Sequence, residues 1–175
     1  MKAVNAMRAL SHAVEGRVRL MISRAIVQLV NDATKAQELQ IDLLEDETHD
    51  QVERFQQYGL TSVPHAGAEA LAVFVGGLRS HGIIIAVEDR RYRLKNLQGG
   101  EVALYDDLGQ VVLLGRERIE ITSPNQVKVI APHVIVESDQ VDLGGEGGEQ
   151  VARIGDDVDL GTGKIISGSD KVAAV

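Results

Sequence analysis

The sequence contains no cysteine, which excludes disulfides, thiolate zinc sites and cysteine nucleophiles and leaves only oxygen or imidazole ligands for any metal. It is compatible with synthesis in a reducing cytosol. Tryptophan is absent too, and five aromatics (Phe55, Tyr58, Phe74, Tyr92 and Tyr105) are few large anchors for a chain of 175 residues. Something besides an ordinary monomeric core must hold part of it. No eighteen uncharged apolar residues run together, and Arg8, Glu15, Arg17, Arg19 and Arg24 interrupt the first thirty, which predicts neither a signal peptide nor a membrane span. Basic residues are outnumbered, 18 against 26 acidic, and the net charge of −8 argues against nucleic acid as a partner, because phosphate neutralisation needs a basic surface.

What is present divides by position. Residues 1–30 hold five basic residues and one acidic, whereas residues 137–175 hold nine acidic and three basic. Over residues 1–23, Val4, Met7, Leu10, Ser11, Val14, Val18 and Met21 recur at helical spacing, so an amphipathic helix is expected there. Residues 24–97 read as a small barrel of five short strands. Arg24–Asn31 is a strand ending in a turn, Gln37–Leu43 alternates apolar and polar with period two, and Glu69–Val75 and Gly82–Glu88 flank the Gly76-Gly77 corner. The acidic run Glu45, Asp46, Glu47, Asp50 and Glu53 is expected to fill a loop.

Residues 98–145 carry a repeat. The apolar pairs Val111/Leu113, Ile119/Ile121, Val127/Val129, Val134/Val136 and Val141/Leu143 recur every seven or eight residues, preceded by Val102/Leu104. Turn formers such as Gly115, Ser123-Pro124-Asn125 and Pro132 separate them. A strand offering two branched side chains per unit cannot close a core alone, so these ten residues are expected to form the core of a trimer in which three chains wind together. Each fully buried side chain would contribute about 1.5–3 kcal/mol. Residues 146–175 are glycine-rich yet contain β-branched runs, which predicts a small folded tip rather than a free tail.

No constellation reads as an active site. The five histidines, at 12, 49, 65, 81 and 133, lack HxH or HExxH spacing, and neither GxSxG nor a phosphate loop occurs. One cation hypothesis concerns the tip. In a threefold assembly an aspartate near the axis appears three times, and converging carboxylates repel unless they hold a hard cation such as calcium. Asp156 and Asp170 are the candidate metal ligands; otherwise they are exposed turn residues.

The order of helix, OB-fold-like barrel, β-repeat and glycine-rich tip resembles the central spikes of contractile phage tails, and more closely the baseplate spike of Mu-like phages. The residues carrying the resemblance are Arg24-Ala-Ile-Val-Gln-Leu-Val-Asn-Asp, Phe55-Gln-Gln-Tyr-Gly-Leu-Thr-Ser, Pro64-His-Ala-Gly-Ala-Glu-Ala, Gly76-Gly-Leu-Arg-Ser-His-Gly, Asp89-Arg-Arg-Tyr-Arg and Gly100-Glu-Val-Ala-Leu-Tyr-Asp-Asp-Leu-Gly-Gln. It implies a mainly β homotrimer in the virion tail baseplate, made in the host cytoplasm. Its barrel would join the baseplate hub protein, and its intertwined β-helix and tip would perforate the host outer membrane. The tip also looks like the PAAR-type tips of secretion-system spikes, through Val151-Ala-Arg-Ile-Gly-Asp and Ile165-Ile-Ser-Gly-Ser-Asp-Lys-Val, but no histidine follows His133, so the zinc site of those tips does not carry over. Other phage spikes hold iron through an HxH motif that is missing here, which leaves an axial calcium as the ion the Mu-type resemblance allows. The competing readings are a trimeric β-solenoid enzyme of acyltransferase type, which requires a hexapeptide rhythm and a catalytic histidine in a coil turn, and an OB-fold nucleic-acid module on a trimerising stalk.

Overall fold

The structure is a computed structural model that describes residues 4, 5, 12, 14–16, 18, 20–43 and 47–174. Residues 4, 5, 12, 14–16 and 18 are helical, with Val4, Val14 and Val18 exposed. Of the helix expected over 1–23, residues 1–3, 6–11, 13, 17 and 19, Met7, Leu10 and Ser11 included, lie outside the described residues, while its last four positions are not helical: Leu20 and Met21 turn the chain, and Ile22 and Ser23 already belong to the first strand, where they pair with Val73 and Ala72. The rest is mainly β and forms two compact units, Met1–Gln126 and Val127–Val175.

In the first unit, β1 (Ile22–Asn31), β2 (Gln37–Leu43), β3 (Glu47–Arg54), β4 (Glu69–Phe74) and β5 (Gly82–Glu88) close a barrel in the order β1-β2-β3-β5-β4. The β3–β5 pairing is parallel and the others are antiparallel. Period-two alternation sets which side chains face inward: Leu39, Ile41 and Leu43 from β2, and Ala70, Ala72 and Phe74 from β4. Ala25, Val27, Val52, Ala68 and Ile84 complete the core. Four of these eleven residues are alanine, so the barrel is narrow, and Phe74 is its one aromatic. Register shifts in the β1–β2, β2–β3 and β4–β5 ladders bend the strands enough to close it.

Strand β3 corrects the expectation of an acidic loop. Glu47, Asp50 and Glu53 lie in a strand, while Glu45 and Asp46 lie outside the described residues. Only Val52 of this strand is buried. The pairing is therefore imposed by its neighbours, Leu39 opposite Val52 on one side and Ile83 beside Glu53 on the other. The β4–β5 connection, a 3-10 turn at Val75–Gly77, requires glycine, since Gly76 and Gly77 have φ of 63° and 71°.

After the barrel, β6 (Val102–Tyr105), β7 (Val111–Leu114) and β8 (Ile119–Thr122) form an antiparallel sheet. Val102 and Leu104 stand opposite Leu114 and Val112, and these stand opposite Ile119 and Ile121. Directly paired residues share a face, so those six make one wholly apolar face. The other face carries Ala103, Tyr105, Val111, Leu113, Glu120 and Thr122. The repeat therefore does not align its pairs: Val111 and Leu113 lie on the face opposite Ile119 and Ile121.

The second unit contains a sheet of β9 (Val141–Leu143), β10 (Glu149–Gln150) and β13 (Val172–Ala174), and a hairpin of β11 (Val158–Asp159) and β12 (Lys164–Ile165). Strand β13 returns parallel to β9, with Val172 beside Val141 and Ala174 beside Leu143. Residues 123–140 form no strand within the chain.

Candidate functional site

The ten predicted core residues sit in three different environments. Val111 and Leu113 are half-buried, whereas Ile119 and Ile121 are 69% and 62% exposed. Val127, Val129, Val134 and Val136 have no strand partner among the described residues and are exposed, Val129 at 72%. Val141 and Leu143 are held in β9 by β13, with Val141 half-buried and Leu143 exposed. Within each unit, large branched side chains are thus left open in succession, unlike the single exposed leucines common on globular proteins.

The tip has almost no apolar core. Among described residues 127–174 only Ser169 is buried, and its Oγ accepts hydrogen bonds from the amides of Lys171 and Val172. Carboxylate-braced turns supply the rest. Asp156 accepts from the Arg153 amide and guanidinium, and that guanidinium also donates to the Gly168 carbonyl at 2.6 Å. The Arg153 amide chiefly, helped by the guanidinium, holds the Asp156 carboxyl below the usual carboxylate range. Asp159 is likewise depressed by the amides of Gly161 and Thr162, which it binds at 2.7 and 3.2 Å.

The two candidate metal ligands therefore differ. Asp156 already neutralises a cation of its own chain, whereas Asp170 is exposed and accepts no hydrogen bond from the described residues. Among the described residues no group of three or more His, Asp or Glu side chains is arranged to hold a metal within one chain. Arg153 went unnoticed in the sequence because it lies three residues before Asp156 in a turn whose geometry no periodicity announces.

Two polar clusters on the barrel have structural work. At one, Gln37, itself buried, donates to Asp32 and accepts from Arg54, which also donates to Ser62. These bonds fasten the β1–β2 turn to β3 and to the long β3–β4 loop. Burial pulls the Arg54 guanidinium below its ordinary value. At the other, Asp107 in the β6–β7 turn meets His65 at 3.1 Å, and the His65 ring lies 5.2 Å from that of Tyr92. Beside it, Arg91 grips Asp89 and donates to the Ala66 carbonyl at 2.9 Å. This joint fixes the first hairpin after the barrel. In neither cluster is a nucleophile paired with a base among the described residues.

Comparison with known proteins bears on which surfaces matter. Residues 24–91, nearly the whole barrel, match the family described as Bacteriophage Mu Gp45, N-terminal. The chain is 48% identical over 115 residues to the "Baseplate puncturing device gp45" of Escherichia phage Mu, covering 66% of this chain and 58% of that protein. It is 38% identical over 125 residues to the "Mu-like prophage FluMu protein gp45" of Haemophilus influenzae, covering 71% and 64%. The chain thus spans less than two thirds of either curated relative.

Proposed function

The chain is a relative of the Mu gp45 baseplate proteins, and from that premise we propose that it is the central spike of a contractile tail, located in the virion baseplate. The observation that carries this reading is the 48% identity to a protein named as a baseplate puncturing device. The exposed apolar succession after the barrel supports it, because one chain cannot cover that succession by itself.

In this reading the protein is a homotrimer. The barrel, whose strand order β1-β2-β3-β5-β4 fits an OB-like fold, is the part that attaches to the hub protein of the baseplate. Residues 98–145 wind with two further copies into a β-helical stalk, and residues 146–175 form the tip that leads through the host outer membrane as the tail contracts. The work is mechanical and non-enzymatic. No observation favours a β-solenoid acyltransferase.

A calcium ion on the threefold axis of the tip belongs to the same proposal. Asp170 fits it better than Asp156, since a cation at Asp156 would have to displace the Arg153 guanidinium. Three Asp170 carboxylates from three chains would hold the ion, whose chemistry is to neutralise their mutual repulsion.

The test is the mass of the purified chain in solution. Light scattering coupled to size exclusion is expected to return three times the 18.9 kDa of one chain, and a well-behaved monomer would overturn the reading. A fragment beginning at Glu101 is expected to remain a folded, protease-resistant trimer, which separates the stalk and tip from the barrel.

A further inference from the structure

We propose that the apolar face of the β6–β8 sheet, made of Val102, Leu104, Val112, Leu114, Ile119 and Ile121, is where the further copies of this chain dock. The inference rests on the trimeric reading above and specifies which of two faces the copies share.

The sheet has two faces of different character. The face named contains no charged or polar side chain, and five of its six residues are exposed, Val112 alone being half-buried. The opposite face carries Glu120 and Thr122, with Glu120 taking an ion pair from Arg118 at 3.2 Å. Its three aliphatic residues, Ala103, Val111 and Leu113, are each half-buried by the chain's own atoms. Solvent suits the second face and not the first.

Symmetry supplies the argument for the occupant. Around a threefold axis each residue meets its own equivalents, so any lone charge on the shared face is tripled and desolvated without a partner. A face that excludes charge from all six positions meets that demand, whereas a surface for a different protein needs no such exclusion and would ordinarily set polar groups among its apolar ones. Leu104 also borders a cleft on the barrel in which the exposed Phe55, Leu60 and Ile85 stand among polar residues, Arg54 and Gln57 included, so the face free of charge ends at the sheet. In the second unit, taken by itself, the valines at 127, 129, 134 and 136 are exposed as well.

The absence of cysteine from the chain makes a clean test possible. Four single variants of the full chain, Ile119→Cys, Glu120→Cys, Ile121→Cys and Thr122→Cys, are purified without lipid or other protein and reacted with N-ethylmaleimide. All four positions are exposed in one chain, so any difference must come from another copy. The thiols at 119 and 121 are expected to react at least about tenfold more slowly than those at 120 and 122, because buried thiols are inert. In urea the four should react alike.

Equal labelling of all four in the native protein, equal protection of all four, or protection of 120 and 122 alone would each overturn the proposal. So would alternation that appears only after phosphatidylethanolamine–phosphatidylglycerol vesicles are added, since the occupant would then be lipid. Light scattering on the unmodified chain separates the two levels of failure. A trimer without alternation refutes this face alone, whereas a monomer refutes the trimeric reading as well.

Discussion

Gly82 and Phe74 form a contact whose energetics can be tested as a pair. Gly82 opens β5 opposite Phe74 of β4, and a Cβ at position 82 would lie 2.9 Å from Cε1 of the ring and 3.4 Å from Cγ1 of Val52. The first distance is well inside the ordinary carbon–carbon separation of about 3.5–4.0 Å. The ring has little freedom to retreat. It is fully buried, the Arg79 guanidinium lies 4.5 Å above it, and the His49 ring packs at 5.8 Å. Gly82→Ala is therefore expected to destabilise the barrel by about 1–3 kcal/mol, the range for overpacking a filled core. Phe74→Leu removes the ring edge and alone should cost about 1–2 kcal/mol through lost burial. In the double variant the methyl group occupies the space the ring has left, so the combined loss should fall short of the sum by about 1 kcal/mol or more. Urea unfolding followed by far-ultraviolet circular dichroism gives the cycle, at one fixed chain concentration because association shifts the midpoint. Additivity within about 0.5 kcal/mol, or a neutral Gly82→Ala, would refute the packing argument.

Three further outcomes follow from the stalk and tip. Val129→Asp sets three carboxylates into the shared core of the proposed trimer, where unpaired charge is very costly, and light scattering should find monomer; a stable trimer would place Val129 outside that core. Chelation should lower the melting temperature of the trimer, Asp170→Ala should abolish that sensitivity, and elemental analysis should find one ion per three chains; metal-free protein never exposed to chelator would sink the ion. Asp156 and Asp159 have carboxyl pKa values depressed in the folded tip, so their contribution is fully present above the unfolded value of about 3.9 and is lost as pH falls through the folded values. Protection of the amides of Arg153 and Gly161 against hydrogen exchange, taken relative to the intrinsic rate at each pH, should therefore fall as pH drops below the unfolded value and through the folded ones, with Asp156→Asn weakening the dependence at Arg153; pH-independent protection there would contradict the role given to these carboxylates.

Most of the barrel is legible in the sequence because four of its strands carry their own signal. In Gln37–Leu43 the alternation alone identifies Leu39, Ile41 and Leu43 as inward residues, and their burial agrees. Strand β3 carries no such signal. Its sequence Glu-Thr-His-Asp-Gln-Val-Glu-Arg has one apolar residue, and it is a strand only because β2 and β5 leave a vacant edge on each side for it to fill. The tip is opaque for a related reason. Its order comes from hydrogen bonds within turns, Asp156 to Arg153 and Ser169 to Val172, and such bonds leave no hydrophobic period behind.

The stalk poses a subtler problem, one of parity. Even spacing between Val111 and Ile119 would put both on one face of a continuous strand, but the chain reverses between them, and the length of the reversal decides the outcome. Five residues separate the paired ends Tyr105 and Val111, so facing positions on β6 and β7 share parity, and Val102 and Leu104 join Val112 and Leu114. Four residues separate Leu114 from Ile119, so parity flips, and Ile119 and Ile121 join Val112 and Leu114 rather than Val111 and Leu113. Because Val111-Val-Leu-Leu114 is apolar at every position, period two could not choose between its faces. One residue more or less in the loop 115–118 would reverse the choice, moving Glu120 and Thr122 onto the face now free of charge. Loop length in this hairpin therefore determines whether the sheet presents a surface that identical copies can share.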